Sequence, residues 1–399
     1  MADTVVSPIG PAPRRGDQLE EVEVHVPGAV AWTGEEITYV GPPQGLPDDL
    51  PVEHFDDATI APGFVDCHTH LPFVGWRADE FELRLSGRSY RELHGEGGIA
   101  RSARMFAEAS DEQILAFSLD LLEEMAAHGT TTVELKTGYG LSIDQELRAA
   151  RVARRLGELA PQTCVVTLLA CHAVPQGLTR EAWVALACNE LIPAAAAEGL
   201  VDAVDIYVED IAFTVRDLKS VADAAEHAHL PLRCHADQLG ASGATQAAVA
   251  LGARSADHCN HVDRAGIDAL GSSETVAVVL PGSTFFLRAT PPLVGGMIDA
   301  GAAVAIATDC NPGTAPIASM PETIAFACVL YGLSPQAALT ASTLNPAHVL
   351  GLGGRIGALR PGSRADLVVL NGEGFRQVPY RPGHNPVVAT YIGGLRVAG

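Results

Sequence analysis

Three histidines and one aspartate stand at positions suited to holding a metal ion that activates water: His68 and His70 in APGFVDCHTH, His235 in PLRCHADQ and Asp309 in VAIATDCNP. In His68-x-His70 both imidazoles share one face of a strand, because residues two apart point the same way. An H-x-H pair alone is weak evidence. Here each of the four candidates closes a short apolar run, and the ends of barrel strands converge, so ligands remote in sequence can meet at one ion. Three imidazoles and a carboxylate with a coordination position left open suit Zn2+ or Fe2+, and donor softness fits either.

The elements that must carry these residues are legible from about residue 59 onward. Eight apolar runs read as strands: TIAPGFVDCH, TTVELKT, CVVTLLACH, AVDIYVED, PLRCH, SADHC, TVAVVLPG and AAVAIATD. Their hydrophobicity is continuous rather than alternating, which suits parallel strands covered on both faces. Helical stretches separate them. Ser110 and Gln113 form a capping-box pattern ahead of ILAFSLDLLEEMAAH, with Gly129 as terminator, and Ser142 with Gln145 repeats the pattern. The alternation predicts an α/β chain whose centre, residues 59–352, is a (β/α)8 TIM-type barrel. A doubly wound sheet is the alternative, but its Gly-rich phosphate loop is missing after the first strand. Residues 1–58 (EVEVHV, AVAWTG, EITYVG) and 353–399 (PGSRADLVVLN, PVVATYIGGLRVAG) read as β pieces again, which predicts a small β-sandwich built from both termini. Residues 334–351 read as helical.

Bulk properties narrow the partners. Of 399 residues 47% are hydrophobic and 19% charged, a globular composition with a large core. A formal net charge of -22 leaves no basic patch for phosphates, so nucleic acid is not expected. No apolar stretch approaches the roughly 20 residues that span a bilayer, and the N-terminus has no hydrophobic signal core. The expectation is a cytoplasmic protein that avoids membranes. The eight cysteines form no C-x-x-C pair. Cys67, Cys171, Cys234, Cys259 and Cys310 each adjoin a candidate functional residue, and a strand neighbour of an inward ligand faces outward, so they read as small core residues.

The H-x-H after strand one, a histidine after strands five and six, and an aspartate after strand eight resemble the amidohydrolase superfamily. Nearly the whole chain, through GWRADEFELRLSGRSY, ELKTGYGL, CHAVP, HADQL, SADHC, ATDCNPGT and YRPG, is similar to its imidazolonepropionase family. That resemblance implies hydrolysis of 4-imidazolone-5-propanoate to N-formimidoyl-L-glutamate by metal-activated water. It implies one divalent metal, Zn or Fe, held by His68, His70, His235 and Asp309, a small anionic heterocycle as substrate, and a homodimer. It also carries over roles: Asp309 for the water's proton, and His258 for carbonyl polarisation or proton transfer.

The same resemblance makes Arg77 the partner of the propanoate, and a guanidinium grips a carboxylate bidentately. A plain surface arginine paired with Asp79 or Glu80 is the competing reading. Tyr139 and His172 are implied polar contacts. Asn311, Gly313 and Thr314 form a loop able to bind the carboxylate or the opened product, although Gly313 also suits a turn after Pro312. Gln238 stands where some relatives have Glu; an amide is no base, so it orients water or substrate. Lys136 reads as a buried cation paired with Glu209 or Asp210, with a carboxylated bridge between two metals as the alternative. A sister hydrolase or deaminase of another heterocycle, and an inactive barrel that only binds, are the competing functions. The carboxylate clamp argues against the first and the complete ligand set against the second.

Overall fold

The computed structural model describes residues 1–47, 50–88, 92, 97–372 and 374–399. Eight parallel strands form the central sheet in sequence order: β1 (Phe64–Asp66), β2 (Thr130–Lys136), β3 (Thr163–Cys171), β4 (Ala203–Val208), β5 (Arg233–Ala236), β6 (Ser255–His258), β7 (Val276–Val279) and β8 (Ala303–Ile306). Nearly every residue in them is buried, as expected for strands with helices outside and packed side chains inside. The circle closes beyond the ends of β1 and β8, where Thr69 and Cys310 form a parallel bridge. Asp309 N donates to His68 O and His70 N to Cys310 O, both at 2.9 Å. The Asp66 carboxylate accepts from Thr308 N (3.1 Å) and Thr308 Oγ1 (2.5 Å). The seam therefore runs through the residues that carry His68, His70 and Asp309.

A separate six-stranded mixed sheet joins the termini, in the order Leu395–Ala398, Val387–Ile392, Leu367–Asn371, Phe55–Pro62, Ala2–Pro8 and Val22–His25. A two-stranded ribbon, Ala29–Thr33 with Glu36–Gly41, packs on it through a second small core that includes Val5, Ile37, Ile60, Leu367 and Tyr391.

Two local expectations need correction. The run TIAPGFVDCH is two strands, not one: Phe55–Pro62 belongs to the terminal sheet and Phe64–Asp66 to the barrel. The change of sheet falls at Gly63, where a Cβ would lie 2.3 Å from the Thr131 side chain. All of the run is buried, so hydrophobicity alone does not mark the exchange of partners. Ser110 forms its full capping box, but at the helix Ile143–Leu159 only Ser142 caps; the Gln145 side chain accepts from Arg148 instead. Residues 334–351 are helical as expected, in two helices, Pro335–Ser342 and Leu344–Val349. The break precedes Pro346, which has no N–H to continue the ladder. Within GWRADEFELRLSGRSY, Ser89 and Tyr90 lie outside the described residues. No helix among the described residues is long and apolar enough to cross a membrane.

Candidate active site

The four proposed ligands converge at the carboxyl ends of the barrel strands. Ligand atoms of His68, His70 and Asp309 lie within 4.8 Å of one another, and so do those of His68, His235 and His258. His70 Nε2 is 3.3 Å and His68 Nε2 3.6 Å from Asp309 Oδ1, while the Nε2 atoms of His70 and His235 face each other at 3.5 Å. His68 Nε2 and both Asp309 carboxylate oxygens are buried without a hydrogen-bond partner. Buried polar atoms are normally satisfied. Orphaned acceptors aimed at one point fit a divalent cation of the zinc or iron kind, and the site is a divalent-metal centre.

Backbone and electrostatics prepare the donors. His258 (φ 76°) and Asp309 (φ 57°) adopt left-handed conformations, which cost about 1–3 kcal/mol each in non-glycine residues and cluster at functional sites. Burial pushes the His68 and His70 imidazoles below their ordinary value, which keeps their nitrogen lone pairs available. Burial likewise takes His258 down to about 3, against the opposing pull of Asp309, so its ring is neutral beside the ion's position.

Around this cluster His70, Arg77, Tyr139, His172, His235, Gln238, His258, Asp309, Asn311 and Thr314 line one cavity. His172 Nδ1 donates to Gly138 O at 2.9 Å, and its ring stacks on His70 with centroids 5.2 Å apart. Gly138 (φ 126°) is required there, since a Cβ would come within 2.8 Å of that nitrogen. Gln238 is anchored by its backbone, its N–H donating to Glu209 Oε1, with Leu239 N on the same oxygen at 2.9 Å.

Arg77 is only 4% exposed, and its Nε and Nη1 are buried without a hydrogen-bond partner. The arginine is not at the surface, but it does pair with Glu80: Arg77 Nε lies at an ion-pair distance of 3.6 Å from Glu80 Oε2, while Glu80 Oε1 accepts from Gly98 N and Asp79 pairs with Arg101 at 2.5 Å. Gly313 lies beneath the guanidinium: a Cβ there would sit 1.3 Å from Arg77 Nη2. Close approach, not turn geometry, explains this glycine. Gly313→Ala is therefore expected to displace the guanidinium and raise KM for an anionic substrate at least about tenfold, by loss of one charge-assisted hydrogen bond. An unchanged KM in steady-state kinetics would show that the guanidinium does not bind substrate. Asn311 lines the cavity and also braces its own loop. Its Oδ1 accepts from Gly313 N (2.9 Å) and Thr314 N (2.7 Å), and its Nδ2 donates to Asp309 O (2.6 Å).

Lys136 is buried as expected, but the charges around it are not those the sequence suggests. Lys136 Nζ donates to Asp205 Oδ2 at 2.5 Å and to Glu134, not to Glu209 or Asp210, because β4 presents Asp205 inward at the level of the lysine. Its bonds to these carboxylates make it a buried cation of an ionic layer. Asp257, Arg233, Glu134 and Asp205 are all buried in strands, and Tyr207 also lines the cavity. A signal existed for the four charged residues: each lies within a run otherwise read as apolar, and two residues from another inward position. All eight cysteines are free, and the five that adjoin site residues are buried.

Comparison with known proteins agrees with this geometry. The amidohydrolase family model matches residues 59–281 and 287–396. The chain is 44% identical over 366 residues to an imidazolonepropionase of Rhizorhabdus wittichii, covering 90% of this chain and 92% of that protein. It is 41% identical over 400 residues to an imidazolonepropionase of Rubrobacter xylanophilus, covering 98% and 96%. Among solved structures, a zinc-bound adenosine deaminase from Xanthomonas campestris superposes with a TM-score of 0.70 at 19% identity, over 99% of this chain and 91% of that one. A guanine-bound guanine deaminase from C. acetobutylicum gives 0.71 at 15%, over 98% and 99%. At such identity these two speak for the fold alone. On its ligand cluster, its barrel and its close curated relatives, the chain belongs to the amidohydrolase family, alongside the imidazolonepropionases.

Proposed function

We propose that this protein hydrolyses the ring amide of 4-imidazolone-5-propanoate, giving N-formimidoyl-L-glutamate. The observation that carries the substrate class is Arg77, a buried guanidinium with unsatisfied N–H groups on the cavity that also holds the metal cluster. A neutral base needs no such group; a propanoate tail does. His68, His70, His235 and Asp309 are the residues to hold one divalent ion, Zn or Fe. When bound, such an ion supplies Lewis acidity and lowers the pKa of water from 15.7 to about 7.

In this reading Arg77 grips the carboxylate, and Tyr139 and His172 hold the polar edge of the ring. His258 faces the ring carbonyl and stabilises charge developing on its oxygen. The water oxygen bonds to the carbonyl carbon, the carbon–nitrogen bond breaks, and Asp309 carries a proton from the water to the departing nitrogen. Gln238, held by Glu209, orients water or substrate. Thr314 and the backbone at Gly313 complete the carboxylate end, with Asn311 shaping their loop. We further take residues 59–352 as the catalytic unit, except that residues 59–62 complete a strand of the terminal sheet, and residues 1–58 with 353–399 as the terminal β unit, and expect a cytoplasmic homodimer that takes no nucleic acid.

Freshly generated imidazolone propanoate, incubated with the metal-loaded protein, should yield formimidoylglutamate identifiable by mass. No product from this compound, with release of ammonia from a purine or pyrimidine base, would favour a sister deaminase instead.

A further inference from the structure

Beneath the metal cluster lie five fully buried charges whose contacts form a continuous chain. His68 Nδ1 meets Asp257 Oδ2 at 2.6 Å, and the same oxygen accepts from Arg233 Nη2 at 2.7 Å. Arg233 Nη1 donates to Glu134 Oε1, and Glu134 accepts from Lys136 Nζ at 3.2 Å. Lys136 donates onward to Asp205 Oδ2 at 2.5 Å, and that oxygen is 3.1 Å from His235 Nδ1, an ion-pair distance rather than an aligned hydrogen bond. Signs alternate along the whole path from one imidazole to the other. Arg233 is 1% exposed and Glu134, Lys136, Asp205 and Asp257 are each 0% exposed.

We propose that this path is one ionic relay that joins His68 to His235, with Lys136 and Arg233 as positioning residues that fix which nitrogen each imidazole turns to the ion. The proposal rests on the metal reading above. Stability alone does not account for the relay, since apolar side chains of similar volume often replace buried ion pairs at no loss. Its ends do account for it. A carboxylate on Nδ1 holds the proton there and leaves Nε2 as the donor, and such outer partners govern metal affinity. Barrel geometry delivers them: Glu134 and Lys136 share one face of β2, and His235 pairs in register with Asp257 on β6. His70 Nδ1 and His235 Nδ1 are both buried without a hydrogen-bond partner, but of the two only His235 has a carboxylate, Asp205, at ion-pair distance from that nitrogen among the described residues. The relay thus holds two of the three histidine ligands as a coupled pair.

The test uses the full chain and zinc as the probe, with affinity measured by chelator competition. Lys136→Met and Asp257→Asn are each expected to raise the zinc Kd about 10- to 100-fold. Because the two sites lie on one path, the double variant should fall at least about threefold short of the product of the single effects. Effects that multiply cleanly, or an unchanged Kd in either single variant, would overturn the relay. Should the variants not fold, imidazole 15N NMR of the zinc-loaded wild type still decides. The expectation is a proton on Nδ1 and zinc on Nε2 in both His68 and His235; zinc on Nδ1 of either ring refutes it. Wild-type protein that takes up no zinc or iron would instead sink the metal reading itself.

Discussion

Asp309→Asn is expected to lower kcat on imidazolone propanoate by about a hundred- to ten-thousand-fold, the range for loss of a positioned proton carrier. The substitution keeps the size of the side chain and one oxygen able to ligate, but removes the carboxylate that accepts the proton. Asp309 is buried; burial pushes its carboxyl up, but contact with His70 and the neighbouring imidazoles outweighs this and holds it below the ordinary range. The wild-type side chain is therefore an anion poised among four imidazole rings. KM should change little, because Arg77 and not Asp309 holds the substrate tail. Metal analysis belongs beside the kinetics. Close to one Zn or Fe per wild-type chain is expected, and two per chain would restore Lys136 as a bridge. A variant that retains both metal and full turnover would remove Asp309 from the proton path.

Arg77→Ala should act on binding. Removing one partner of a buried, hydrogen-bonded charge pair costs about 2–5 kcal/mol, and at 1.4 kcal/mol per factor of ten kcat/KM falls roughly 30- to 4,000-fold. Most of the loss should appear in KM, since the carboxylate does not change during the reaction and is held alike in ground and transition states. Arg77→Lys retains the charge but not the planar fork, so an intermediate loss is expected. The global field makes the clamp more necessary: at a net charge of -22 an anionic substrate gains no long-range attraction. Equal kcat/KM for Arg77→Ala and wild type would mean the carboxylate binds elsewhere.

The sequence by itself determined the barrel and singled out candidate metal donors at its strand ends. Both follow from local physics: unbroken apolar runs separated by capped helices specify β/α repeats, and a strand's period of two places His68 and His70 together. Resemblance in the GYG, HADQ and DCNPGT segments then named the pocket residues around them. Only the tertiary structure decided the rest. A continuous buried run does not show where it changes sheets, so the division at Gly63 emerged from packing against Thr131. A lone charge in an apolar strand does not name its partner, so Glu209 and Asp210 suit Lys136 equally in the sequence, whereas register across β2 and β4 gives it Asp205. Gly313 reads from the sequence as a binding-loop residue or a turn glycine, and neither reading contains the Arg77 guanidinium that lies over it. In each case the deciding contact joins residues far apart in the chain, and its energy depends on a distance that spacing along one strand does not contain.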